Sequence, residues 1–189
     1  MTSSPVTRVF ARVVGLLDRA GFPVAVMGGF AVRFWAIPRA TYDVDFAVAA
    51  DGDELLRLVK TFDGEGFVVD RQFLGGFTDN LEGLRKINVG CFEAGTVWRI
   101  DVFLATTPFV RSAFDRRVPA EIDGMKCAVV TVEDLLLFKL LANRNKDRAD
   151  VEDLLLVCGS LDTAYLRSWA ERLVIGDRLD RALRDGGRS

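Results

Sequence analysis

The chain has 189 residues, enough for one domain or for one domain with a small helical appendage. Half of the residues are apolar and 14 are Phe, which permits a substantial core and leaves apolar surface for a partner. A formal charge of −2 excludes a global basic field for nucleic acid, and the absence of His excludes Ser-His-Asp and Cys-His sites, His general bases and His-containing zinc sites.

Ser4-Pro5 reads as a helix start, followed by Val6, Val9, Phe10, Val13, Leu16 and Leu17 at helical spacing to about Ala20. Residues 23–27 read as a short buried strand, broken by Gly28 and Gly29, with two helical turns over 30–35. Residues 42–48 alternate, with Tyr42, Val44, Phe46 and Val48 on one face and Asp43, Asp45 and Ala47 on the other. A helix is expected over 51–62, a strand over 66–70, and a loop over 73–82 apart from a short strand near Phe73 and Leu74. Residues 85–92 and 97–104 form a predicted hairpin, with Arg99, Asp101 and Phe103 on one face of the second strand.

A short helix over 109–115 and a second hairpin, 118–122 with 125–130 around Asp123-Gly124, come next. The strongest helix opens at Thr131, with a hydroxyl and an acid at capping-box spacing, and runs at least to Ala142. A charged stretch over 144–153 leads into an apolar run ending at Gly159, then helices over 161–173 and 177–183 and a loose tail over 186–189. The fold class is α/β (α+β): a mixed β-sheet flanked by helices, with residues 1–130 as the core and 131–189 as a C-terminal helical region packed on it.

Asp43 and Asp45 either form the wet face of a strand or act together. Both point the same way in apolar surroundings, where paired like charges are costly without a cation. Asp101, on the polar side of another strand, makes a third carboxylate, and three on neighbouring strands suit two divalent cations. Asp51-x-Asp53 is set aside as a helix start, where acids are favoured anyway. Gly28-Gly29 is either tight strand-to-helix packing or a turn whose backbone amides approach phosphate at a helix N-terminus. It is neither a P-loop nor a dinucleotide fingerprint.

Taken together, Gly28-Gly29-x-Ala31, Arg39-x-Thr41-x-Asp43-x-Asp45 and Asp101 make the sequence resemble the polymerase β-type nucleotidyltransferase superfamily. It is most similar to the AbiEii-like branch, which includes toxins of toxin–antitoxin systems. Lys139, Ala142, Arg144, Lys146, Asp147 and Asp150 match that branch in order. The resemblance implies a nucleotidyltransferase-like fold and an Mg²⁺- or Mn²⁺-dependent transfer from an NTP such as ATP. Asp43, Asp45 and Asp101 would be catalytic and metal-ligating. Gly28, Gly29, Arg39, Thr41, Lys139 and Lys146 would form the nucleotide site, Thr41 by bonding backbone beside the metal.

The acceptor is left open among RNA, protein and a small molecule, and an antitoxin or a second copy is a candidate partner. A catalytically inactive binding partner of the same fold is the alternative. If the helix from Thr131 continues through Asp150, Lys139, Asn143, Lys146 and Asp150 share one stripe, which is either a solvated face or an anion-facing one. Arg33 is a further candidate for phosphate. Arg111, Arg116 and Arg117 form either a solvated helix end or a contact for RNA. No run approaches the roughly 18 apolar residues of a membrane span, and no signal-peptide pattern is present. The dispersed Cys91, Cys127 and Cys158 read as reduced thiols, and the expectation is a cytoplasmic protein that does not enter a membrane.

Overall fold

A computed structural model describes residues 4–75, 78–81 and 83–187. In chain order the elements are α1 (Pro5–Arg19), β1 (Val24–Val26), α2 (Gly28–Trp35), β2 (Asp43–Val48), α3 (Asp53–Gly64), β3 (Val68–Val69), α4 (Arg71–Leu74), β4 (Asp79–Leu81), β5 (Leu84–Glu93) and β6 (Thr96–Leu104). They continue with α5 (Pro108–Asp115), β7 (Val118–Ile122), β8 (Met125–Val129), α6 (Val132–Ala142), α7 (Asn145–Val157), α8 (Thr163–Arg172) and α9 (Gly176–Asp185). No helix among the described residues is long and apolar enough to cross a membrane.

The strands form one mixed sheet in the order β3-β5-β6-β2-β1-β8-β7, with β4 also paired to β5. β2 runs parallel to β6, and β1 parallel to β8; the remaining pairings are antiparallel. Both long hairpins close through two residues with positive φ, Ala94-Gly95 and Asp123-Gly124. Such mirror-image turns match the right-handed twist of the strands they join. The alternation expected for β2 holds from Asp43 to Phe46, with Val44, Phe46 and Val48 fully buried and Asp43 and Asp45 only half-buried. Tyr42, expected on the apolar face, precedes the strand and is exposed, and Ala47 of the Asp face is buried as well.

Ser4 caps α1, its hydroxyl accepting from the Thr7 amide, and Pro5 supplies a preset first turn. This helix lies on the apolar face of β2. Phe10 stacks on Phe46 at 5.9 Å and on Phe30 of α2 at 4.3 Å, both nearly parallel. That packing leaves Asp43 and Asp45 on the opposite face. Leu135 of α6, Leu154 of α7, Leu166 of α8 and Leu179 of α9 belong to the same contiguous core as the strands.

Three expectations are corrected. The stretch over 73–82 holds a helical turn, α4, whose Asp70 cap accepts from the Gln72 amide, and a short edge strand, β4, instead of a loop with a strand at Phe73. Residues 76, 77 and 82 of it lie outside the described residues, as do Arg188 and Ser189 of the expected tail. The helix from Thr131 does not continue through Asp150: Asn143 adopts a left-handed conformation, φ 49°, and ends α6. The charged stretch that follows is itself helical, because Asp147 accepts from the Arg144 amide and starts α7. Asn is among the few residues that enter the left-handed region at low cost.

Phe10→Ala removes the central ring of the stack and is expected to cost about 3–5 kcal/mol of stability. Urea denaturation measures this; a loss below about 1 kcal/mol would contradict the packing described.

Candidate active site

The site begins with register. On the parallel strands β2 and β6, Asp43 stands opposite Arg99 and Asp45 opposite Asp101. Across the β5–β6 hairpin, Asn88 stands opposite Asp101. Because side chains alternate along each strand, these groups share one face of the sheet. The start of α2 presses on that face. Gly28 has φ +58°, and a Cβ there would lie 1.8 Å from Asp45 Oδ2. A Cβ on Gly29 would lie 2.5 Å from Thr41 Oγ1. Thr41 is buried, and its hydroxyl lies 3.0 Å from the Asp43 carbonyl and 3.1 Å from Asp43 Oδ1. Both glycines therefore serve close approach, which is the packing reading of the pair; the same absence of side chains exposes backbone at a helix N-terminus.

The three carboxylates have different partners. Asp101 is buried with both oxygens engaged: Lys86 Nζ lies 3.2 Å from Oδ2, and Arg99 Nε lies 2.8 Å from Oδ1. Lys86 also donates to Asn88 Oδ1 at 2.8 Å, and Asn88 in turn donates to Asp79. Asp43 has a looser partner, Lys146 Nζ at 3.5 Å. Among the described residues, no cation stands within ion-pair distance of Asp45. Burial, then the charges of Asp43 and Asp101, push its carboxyl up to about 7 against the opposing fields of Lys139 and Lys146.

The facing wall comes from α6, α7 and the segment before β2. Lys139 is buried, with Nζ 2.7 Å from Asp150 Oδ2 and 3.3 Å from Asp147 Oδ1. Arg39 grips Asp150 through two bonds, at 2.5 and 2.7 Å, and Arg144 holds Asp147 at 2.6 Å. Burial would raise both carboxyls. At Asp150, hydrogen bonds from Arg39 and Lys139 outweigh it and hold the group below its ordinary value. At Asp147, the Arg144 bond and the Lys139 charge do the same. Between this wall and the sheet lies an open cleft lined by Gly28, Gly29, Asp43, Asp45, Lys139 and Lys146, among others.

Every residue expected at the site thus lies at or beside one cleft, with the exception of Asp101, which stands opposite Asp45 in register but is turned toward Lys86 and Arg99. Lys139 and Arg39 are there as well, yet their charges are committed to Asp147 and Asp150. Arg33 is elsewhere: it pairs with Asp123 and lies over the Phe30 ring. Arg116 is paired with Asp134 and stacked on Tyr165, and Arg117 folds over Phe114, so neither is a loose cation. The sequence reading passed over Lys86, Asn88 and Arg99 as site residues. Their signal was the strand alternation that puts Lys86 and Asn88 on one face of β5, opposite Phe103 and Asp101.

Among the described residues, no group of three His, Cys, Asp or Glu side chains is arranged to hold a metal ion. Asp43 and Asp45 nevertheless make an all-oxygen pair at the cleft, with no counter-ion for Asp45 among the described residues. That donor chemistry fits a hard divalent cation, and Asp101 could join only by releasing one of its partners.

A family model described as "nucleotidyltransferase of unknown function (DUF6036)" matches residues 7–181. No protein of curated function matches the sequence significantly. Among solved structures, an antigenic nucleotidyltransferase-like protein from Paracoccidioides brasiliensis is 20% identical, with 97% of this chain and 94% of that one covered and a TM-score of 0.58. ANT(2")-Ia in complex with adenylyl-2"-tobramycin is 13% identical, with 90% and 98% covered and a TM-score of 0.58. The lincosamide antibiotic adenylyltransferase LnuA, bound to lincomycin, is 11% identical, with 79% and 96% covered and a TM-score of 0.53. At these identities the likeness is one of fold.

Two consequences of the charge arrangement can be measured. In its folded state Asp45 holds a proton more tightly than in the unfolded chain, whose carboxyl titrates near 3.8. The contribution of Asp45 to stability therefore falls as pH rises from about 4 to about 7. With divalent cations chelated, Asp45→Asn is expected to be more stable than the parent at pH 8, on the order of 2 kcal/mol, and the gap should close toward pH 4. Thermal melts across that range check it, and a gap independent of pH would refute it. Asp150→Ala leaves the half-buried Arg39 without its carboxylate and the buried Lys139 with only the longer contact to Asp147, and is expected to cost about 3–5 kcal/mol in chemical denaturation.

Proposed function

The chain belongs to the nucleotidyltransferase family whose model spans residues 7–181, and from that membership we propose that it moves a nucleoside monophosphate from an NTP to an acceptor hydroxyl or phosphate. One observation carries this reading: Asp45 and Asp101 are register partners on adjacent parallel strands, with Asp43 on the same face and the Gly28-Gly29 turn pressed against them. Asp43 and Asp45 would hold Mg²⁺ or Mn²⁺. When bound, the cation neutralises charge on the triphosphate and the entering oxygen.

The remaining work falls to the chain's own groups. The backbone at Gly28 and Gly29, at the N-terminus of α2, meets the β- and γ-phosphates. Lys146 is half exposed and loosely held, so it can move from Asp43 to a phosphate oxygen. Lys139 and Arg39 fix the opposite wall through Asp147 and Asp150 and contribute positive field from there. Thr41 orients Asp43. As the acceptor oxygen bonds to the α-phosphorus and the bond to pyrophosphate breaks, Asp101 takes the acceptor's proton.

The adenylyltransferases among proteins of this fold make ATP the first donor to test and small molecules an acceptor class beside RNA and protein. The AbiEii-like branch, and with it a toxin–antitoxin role and an antitoxin partner, rests on the order of Lys139, Ala142, Arg144, Lys146, Asp147 and Asp150; a homo-oligomer is a further candidate. A cytoplasmic location is part of the same proposal.

The test incubates the protein with each α-labelled NTP, Mg²⁺ or Mn²⁺, and RNA, protein extract or an aminoglycoside or lincosamide. Asp43→Asn and Asp101→Asn are each expected to reduce label transfer at least about a hundredfold. Transfer that persists in both variants would sink the assignment. A parent protein that binds Mg²⁺-NTP, raising its melting temperature, yet labels no acceptor would favour the inactive binding partner.

A further inference from the structure

Asp101 is the carboxylate asked to take a proton, and it is the one whose two oxygens are already spoken for. The two cations that hold it are unlike. The Lys86 side chain is 6% exposed, beneath Phe103 and bonded to Asn88 as well as to Asp101. Asn88 is itself fixed by Asp79. The Arg99 side chain is 59% exposed, and its second contact, with Asn88, is a long 3.3 Å. A buried ion pair is costly to break because it leaves a charge without compensation, whereas an exposed one is worth little and exchanges readily with water.

We propose that Lys86 is the fixed counter-ion that positions Asp101, and that Arg99 is a releasable one whose departure opens Oδ1 to the reaction. With Arg99 in place, Asp101 is closed as a ligand or base. With Arg99 swung into solvent, Lys86 still holds Oδ2 and keeps the carboxylate fixed on the strand next to Asp45, its register partner. Neither residue stood out in the sequence: Arg99 shares the strand face of Asp101 two positions away, and Lys86 sits one strand over. The inference rests on the reading of Asp43, Asp45 and Asp101 as a cation site, and its test separates the two.

The full chain is titrated with Mn²⁺ alone, without nucleotide or acceptor, and free Mn²⁺ is read by electron paramagnetic resonance. Arg99→Ala is expected to bind Mn²⁺ roughly two- to fivefold tighter than the parent, the range an exposed ion pair is worth. In an Asp101→Asn background the same substitution should give no such gain, because no carboxylate is left for Arg99 to release. An affinity unchanged by Arg99→Ala, or a gain equally large without the Asp101 carboxylate, overturns the latch. Failure of the parent to bind Mn²⁺, or binding that Asp45→Asn leaves intact, overturns the cation site and the latch with it. Thermal melts complete the assignment: Lys86→Met should lower the melting temperature by several degrees and Arg99→Ala by about one at most. The reverse order would exchange their roles.

Discussion

Three carboxylates on one face of two adjacent strands impose the constraint around which the rest of this structure is arranged. Their mutual repulsion has to be offset by something, and the chain offsets it unevenly. Asp101 receives two cations from β5 and β6, Asp43 receives one at a distance from α7, and Asp45 receives none among the described residues. The imbalance appears as a carboxyl at Asp45 that holds its proton to about pH 7. Natural proteins place such unrelieved charge where a ligand is to supply the relief. The other half of the cleft is the opposite case. Asp147 and Asp150 are fully buried yet charged, because Lys139, Arg39 and Arg144 satisfy them.

The two halves differ in how they are built. The carboxylate side is set by sheet register and by two glycines that leave no room for a Cβ, so its geometry is steric. The cationic side is set by ion pairs joining α6, α7 and the segment leading into β2, so its geometry is electrostatic. Buried pairs of this kind contribute little net stability but strongly disfavour arrangements that leave one partner alone. They fix how the helical region meets the sheet, while the shared apolar core supplies the adhesion.

Much of this was legible in the sequence. Period-two alternation placed Asp43, Asp45 and Asp101 on polar faces, both hairpin turns announced themselves through Ala94-Gly95 and Asp123-Gly124, and Ser4 and Thr131 marked helix starts. What was not legible has physical reasons. Helical spacing carries straight through Asn143, and only the pull of Asp147 on the Arg144 amide shows why a new helix begins there. Whether the stripe carrying Lys139 was solvated or anion-facing stayed open, because its partners lie eight and eleven residues on, across that break. Lys86 and Arg99 were hidden because the register of β5 on β6 within the hairpin, and the pairing of β6 with β2, are tertiary facts. Strand alternation gives the face of a residue and not its neighbour.

The dependence on register sets limits on how the chain can change length. One residue inserted or deleted within β2 or β6 would exchange every side chain between the two faces, sending Asp45 among the phenylalanines and Phe46 into the cleft. A frame that cannot slip by one confines insertions to the turns and to the outer margin of the sheet. There, β3 and β4 are short and share one side of β5. Diversification of this scaffold is therefore channelled to that margin, next to Asn88 and Arg99, where new segments can alter what reaches Asp101 while leaving the paired strands in step.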